Sequence, residues 1–275
     1  MRLPIFQIDA FASEVFKGNY AAVVPLEQWL SPTLMQAIAT ENNLSETAFF
    51  VRNADGFFDI RWFSPITEID FCGHATLASA YVIFEQFKDQ NKTDDVIVFH
   101  APAVGQISVS RQPDGLIEMS FPLRAVEPLV DVPANLSKGL SIEPTEWWLC
   151  QQAYIAIFDN EAAVRAVVPD LDLLATLAPR DVVVTSRGDH CDFVSRYFWP
   201  ANGGDEDPVT GSIHAALAPL WAARLGKSAL AAVQVSQRTG QLYCVIRGDR
   251  VFVSGTAVEY LRGTIQVPAP SDATV

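Results

Sequence analysis

The chain is poor in cysteine, in basic residues and in long apolar runs, and each shortage removes a class of protein. Its four cysteines stand at 72, 150, 191 and 244 with no Cys-x-x-Cys pair, which disfavours metal knuckles and a dense disulfide framework. Reduced thiols in a cytoplasmic protein fit that usage, and burial is the ordinary fate of a free cysteine, which packs as a small hydrophobe. Lysine and arginine number 19 against 32 acidic residues, a formal charge of −13. So acidic a chain lacks the basic stripe that displaces counterions from nucleic-acid phosphates, and anionic membranes repel it. The longest largely apolar stretch, 213–223, falls short of the roughly 20 residues of a membrane span. The first residues, MRLPIFQIDAF, carry neither a basic region nor an apolar run of signal-peptide length, so no cleaved leader is expected.

What remains is a globular composition, 49% hydrophobic and 19% charged over 275 residues, enough for one long domain or two ordinary ones. The chain also echoes itself. Arg61-Trp62-Phe63-Ser64-Pro65 returns as Arg196-Tyr197-Phe198-Trp199-Pro200, offset by 135 (196 − 61). Gly73-His74-Ala75-Thr76-Leu77-Ala78 returns as Gly211-Ser212-Ile213-His214-Ala215-Ala216, offset by 138 (211 − 73). A helix expected over 32–42 has a counterpart at 171–177. Three blocks in one order predict a duplicated domain.

Around these blocks, short β-branched or alternating runs predict strands at 21–24, 47–51, 58–63, 96–100, 107–109 and 117–121. The second half offers 154–158, 182–185, 193–198, 233–235, 242–246 and 251–253. The runs 77–87 and 213–225 are apolar nearly all round, the mark of buried helices. The expected fold is α+β, two pseudo-symmetric halves, each a mixed, barrel-like sheet around a central helix. The halves are expected at 1–122, joined by the tail 262–275, and at 123–261, with the crossover near 122–133.

A helix N-terminus carries unsatisfied N–H groups and partial positive charge, and glycine lets an anion approach its backbone closely. Gly73 and Gly211 could therefore hold a small carboxylate in a cleft between the halves, or simply start two buried helices. Glu68, Asp70 and Cys72 precede Gly73, and His74 follows it. Asp205, Glu206 and Asp207 precede Gly211, and Ser212 follows it. Acids there can serve the helix dipole alone, and Asp207-Pro208 can cap and start the helix; an acid among such amides can equally relay a proton. Glu46 stands at the mouth of an apolar strand. The matching place in the second half falls in Val182-Val183-Val184, so the carboxyl reads as a break in the symmetry. An apolar wall favours the neutral acid and suits acid/base work; a turn or capping role for Ser45-Glu46 is the alternative. Cys72 and His74, two apart at a helix start, are expected to face different ways.

These blocks resemble the phenazine-biosynthesis PhzF-like family, which shares its fold with diaminopimelate epimerase. The motifs that carry the likeness are Phe16-Lys17-Gly18-Asn19 with Ala21-Ala22-Val23, then 43–50, Phe71-Cys72-Gly73-His74-Ala75-Thr76-Leu77-Ala78, 205–212 and 253–258. Tyr20 departs from the proline usual after Gly-Asn. The resemblance implies a cofactor-free and metal-free isomerase, often a homodimer, that moves a proton on a small carboxylic acid at a site between two halves. It implies Glu46 as the acid/base, with His74 and Asp207 on the substrate's polar groups. Gly73, Gly211 and Ser212 become donors, and Asn19, Ser45 and Cys72 further substrate contacts. The epimerase branch needs two cysteines. Cys72 stands where the first belongs, and alignment puts Pro208 at the second, which argues against two-thiol chemistry. Two other readings remain: a homologue that binds a ligand or partner without catalysis, and a Cys72-dependent racemase.

Overall fold

The long strands carry alternating or wholly apolar side chains, and the two central helices bury residues on every side, so sheet and helix must cover one another. The computed structural model describes residues 1–88 and 95–268; residues 269–275 of the expected tail lie outside them. The chain forms two units, Met1–Met119 with Gly255–Val275, and Ser120–Ser254.

In the first unit, strand Arg2–Ala10 lies between Asn19–Leu26 and Ala257–Gln266, antiparallel to both (Phe6 opposite Val23, Arg2 opposite Gln266). Asn19–Leu26 then runs parallel to Glu46–Arg52, with Ala21 opposite Glu46. A parallel pair needs a crossover, and helix Pro32–Asn42 supplies it. Ser31 caps that helix by accepting from the Leu34 N–H, and Asn43 ends it in the left-handed conformation. Phe58–Phe63 pairs back antiparallel, with Thr47 opposite Phe63, and the two-residue strand Glu68–Ile69 follows. Helix Gly73–Gln86 leads on to Val96–Ala101, parallel to Phe58–Phe63. Thr76 and Ser79 are tolerated inside this buried helix because their hydroxyls donate to the Cys72 and Ala75 carbonyls, at 2.6 and 2.7 Å.

The second unit runs through the same pairings. Glu146–Leu149 is antiparallel to Ala153–Ile157, which is parallel to Asp181–Arg187 with Ala153 opposite Asp181. Helices Glu161–Ala166 and Leu171–Ala175 form this crossover. Phe193–Phe198 returns antiparallel, with Val182 opposite Phe198, and the pair Glu206–Asp207 follows. The helix His214–Leu225 then precedes Ala229–Gln234, parallel to Phe193–Phe198.

The structure is α+β, with a mixed sheet and few helices. Among the described residues no helix is long and apolar enough to cross a membrane. Strands 58–63 and 193–198 begin and end where the pattern placed them. Arg2–Ala10, Glu146–Leu149 and Ala257–Gln266 were not read from the sequence. Ala257–Gln266 is mostly exposed and is specified by its partner Arg2–Ala10 rather than by apolar alternation. One helix start is also corrected. Gly211 opens a 3-10 turn, Gly211–Ile213, and the α-helix begins only at His214.

Candidate active site

The site residues named from the sequence fall into two groups, one in each unit. In the first unit, Glu46 opens a strand whose next five residues are buried, so its carboxyl is carried into the apolar interior at 7% exposure. Asn19 opens the neighbouring strand, directly after Gly18 at φ +65°. A Cβ on Gly18 would lie 2.1 Å from the Ala10 carbonyl oxygen, so only glycine lets the chain turn there and deliver Asn19.

His74, on the first turn of its helix, is where these side chains meet. Its Nδ1 lies 3.1 Å from Asn19 Nδ2, and Ser45 Oγ donates to Asn19 Oδ1 at 3.2 Å. Cys72 Sγ lies 3.5 Å from His74 Nδ1. The expectation that Cys72 and His74 face apart is therefore wrong: Cys72 caps the helix in extended backbone, φ −139°, ψ 112°, where helical face geometry does not apply. On the other edge of the ring, His74 Nε2 lies 2.9 Å from Glu46 Oε2. That contact is close but poorly aligned, and Oε2 receives no properly directed hydrogen bond.

Burial, aided by Glu46, pushes the Cys72 thiol up to about 11, which keeps it protonated at neutral pH. Burial would push the His74 imidazole down, but Cys72 and Glu46 outweigh it and hold the ring well above its ordinary value. The first unit thus holds a protonated thiol, a proton-retaining imidazole and a buried carboxyl paired with that imidazole. Glu46, Cys72 and His74 could also hold a metal ion, since one donor atom of each lies within 4.8 Å of the others. Such a mixed N/S/O set suits zinc.

In the second unit, Asp207 ends the short strand opposite Tyr197 and does not cap a helix. It accepts a short hydrogen bond from the Thr210 hydroxyl. Gln234 braces the turn, accepting from the Thr210 N–H at 2.9 Å and donating to the Asp207 carbonyl at 2.8 Å. Thr210 is the residue before Gly211 and caps this helix start as Cys72 caps the other. The place matching Cys72 is thus Thr210 and not Pro208, and it carries no thiol. Ser212 Oγ accepts from Gln152 Nε2 at 3.0 Å.

The strand registers overturn one further expectation. Ala21 faces Glu46 and Thr47 faces Phe63; Ala153 faces Asp181 and Val182 faces Phe198. The counterpart of Glu46 is therefore Asp181, not the valine run beside it. Tyr197 donates to its Oδ2 and Asn202 to its Oδ1, both at 2.6 Å. Asp181 lies 135 residues beyond Glu46, the offset that separates Arg61 from Arg196, and that signal would have found it.

A sequence model described as phenazine biosynthesis-like protein matches residues 8–263. This chain belongs to the phenazine biosynthesis-like family. It is 46% identical over 267 residues to an uncharacterized isomerase of Pseudomonas aeruginosa, covering 97% of this chain and 100% of that one. A solved PhzF-family structure from Enterococcus faecalis superposes with a TM-score of 0.91 at 39% identity, over 97% of this chain and 100% of the other. A hydroxyproline epimerase from Agrobacterium vitis, at 12% identity and a TM-score of 0.59 over 98% and 94%, shares the fold alone. With membership of the family comes the class of enzyme, an isomerase with an epimerase-like fold.

Proposed function

We propose that this family member is a cofactor-independent isomerase that moves a proton on a small carboxylate-bearing substrate, with Glu46 as its single acid/base. The observation that carries the reading is a carboxyl buried to 7% exposure whose Oε2 meets only His74, at 2.9 Å and without a well-directed hydrogen bond among the described residues. A buried carboxyl so loosely bonded keeps acceptor capacity for a proton from a ligand. In the proposed step Glu46 removes a proton from a substrate carbon, and the electron pair of the broken C–H bond spreads toward the substrate carboxylate. Glu46, after trading that proton with solvent, delivers one to a second carbon, where the delocalised pair forms the new C–H bond, so no redox partner is needed. His74, keeping its proton, and Asp207 would hold the substrate's polar groups. Asn19 and Ser45 would fix the His74 ring, and Cys72 would line the pocket as a thiol. Backbone N–H groups at Gly73 and Gly211 and the Ser212 hydroxyl would meet the growing negative charge, the help that fixed donors give best.

A thiol racemase is the weaker reading, because Cys72 stays protonated to about 11 and Thr210 occupies the matching cap. Origin by internal duplication belongs to the same proposal, supported by the matched registers. The test begins with a thermal-shift screen of small carboxylic acids, followed by proton NMR of each hit in heavy water. Wild type should exchange solvent deuterium into the acid, and Glu46→Gln should not. Exchange that survives in Glu46→Gln and vanishes in Cys72→Ser would transfer the chemistry to the thiol.

A further inference from the structure

Ser212 is held by a chain of hydrogen bonds whose direction is fixed at both ends. At one end is Arg124, whose guanidinium has only donors. Its Nη1 lies 2.8 Å from Gln152 Oε1, which settles which end of that amide is oxygen, a choice otherwise open to a flip. Arg124 is itself seated on the same helix start, its backbone N–H donating to the Ala215 carbonyl at 3.0 Å. Gln152 Nε2 then has two hydrogens to give, one to Tyr197 Oη at 2.9 Å and one to Ser212 Oγ at 3.0 Å.

At the other end is Asp181. Its Oδ2 accepts from Tyr197 at 2.6 Å and its Oδ1 from Asn202 at 2.6 Å. Tyr197 is 3% exposed, and burial together with the Asp181 charge holds its phenol far above the ordinary range, so the O–H stays intact. With its one proton directed at Asp181, Tyr197 can only accept from Gln152. Ser212 Oγ also accepts from Gln152, and its own hydrogen has no acceptor among the described residues.

We propose that Arg124 and Gln152 are positioning residues that keep the Ser212 hydrogen turned away from Gln152 and available to a substrate carboxylate. The proposal rests on the reading of Ser212 as a substrate contact. A free serine hydroxyl can turn to donate or accept, and part of any anion affinity is lost in choosing. Here one of the three rotor positions, the hydrogen toward Gln152, is excluded before the ligand arrives.

Gln152→Glu reverses the wiring at constant shape. One carboxylate oxygen keeps Arg124, while the other replaces the amide nitrogen with an acceptor, toward which the Ser212 proton turns. Acetate is the probe, titrated into 15N-labelled full-length protein while the Gly211 and Ser212 amide resonances are followed. Ser212→Ala should weaken acetate binding about tenfold or more, as expected for a hydrogen bond to a charged group. Gln152→Glu should match it, and the double variant should lose no more than either single. Arg124→Met should weaken binding by releasing the amide, and Arg124→Lys, still a pure donor, should restore it. These two variants keep the proposal testable if Gln152→Glu fails to fold. Neutron diffraction of crystals grown in heavy water should place the Ser212 deuterium away from Gln152. Wild-type affinity in Gln152→Glu, additive losses, or a deuterium pointing at Gln152 would each overturn the relay while leaving Ser212 as a ligand contact. Wild-type amides unmoved by acetate would overturn the relay and the role of Ser212 together.

Discussion

Glu46 and Asp181 stand at one place in two matching sheets, and their surroundings treat them in opposite ways. Each opens a strand that is parallel to the one before and antiparallel to the one after. Across the antiparallel pair the first unit has Trp62, whose buried indole N–H meets no acceptor among the described residues; the second has Tyr197, which donates to Asp181. Beside the helix start the first unit has His74 at 2.9 Å from Glu46; the second has Ser212, held by Gln152. The same backbone thus pairs one acid with a single imidazole and gives the other a well-directed donor on each oxygen. An acid/base needs spare acceptor capacity, whereas a scaffold acid needs both oxygens satisfied.

The largest expected effect tests that contrast directly. Glu46→Gln should lower deuterium exchange by roughly 10²–10⁴-fold, the usual worth of a positioned acid/base. Asp181→Asn should lose far less exchange and cost about 1–3 kcal/mol in denaturant unfolding, because a carboxylate accepting two hydrogen bonds is replaced. A larger loss of exchange in Asp181→Asn than in Glu46→Gln would sink the assignment.

The two helix-start caps give the next contrast. Alkylation of Cys72 by iodoacetamide at neutral pH should run about a hundredfold below that of an ordinary thiol, since its value rises from 9.0 to about 11. Its rate should climb with pH well into the alkaline range. Rapid labelling at pH 7 would mean that a thiolate forms beside His74, and would revive the racemase reading.

The two buried histidines should then tilt stability in opposite directions. His74 holds its proton more tightly folded than unfolded. Its contribution is therefore fully present below about 6.5, the unfolded value, and fades as pH rises through the higher folded one. His214, 0% exposed with Nδ1 on the Thr210 carbonyl, is pushed by burial down to about 4. Its contribution is present above 6.5 and fades as pH falls toward 4, by up to about 3 kcal/mol. Melting curves of His74→Asn and His214→Gln against wild type, across this range, should converge on wild type at opposite ends. Convergence at the same end would refute the assigned directions.

The smallest effect concerns the two matched ion pairs. Arg61 pairs with Glu68 through two bonds of 2.6 Å at the surface, and Arg61→Met should cost under about 1 kcal/mol. Arg196 pairs with Glu206 at 2.8 and 2.9 Å and also donates to the Val167 carbonyl at 2.7 Å. Arg196→Met should cost about 1.5–3 kcal/mol by urea unfolding, since a carbonyl and a half-buried carboxylate lose a charged donor. Equal costs would show that the extra carbonyl contact is energetically idle.

Much of this was legible in the chain, for reasons that are local. Strand 58–63 announces itself by apolar alternation, helix 32–42 by Ser31-Pro32 ahead of it and Asn43 behind it, and helix 73–86 by an apolar run after glycine. Glu46, Asn19, Ser45, Cys72, His74, Asp207, Gly73, Gly211 and Ser212 were all nameable as site candidates. The Cys72–His74 contact was not, because it depends on an extended cap that helical periodicity does not describe. Asp181 was passed over because the valines after it drew the alignment one residue too far. Gln152 and Arg124 carry no motif, and their role follows only from what their side chains reach.

The sequence by itself determined most of the elements, their order and the family, because patterning and glycine placement act within a few residues or through a close repeat. Only the tertiary structure decided what each acid became. Whether a carboxyl is left with one imidazole, as Glu46 is, or takes a donor on each oxygen, as Asp181 does, depends on partners 16 to 28 residues away that the folded chain brings within 3 Å.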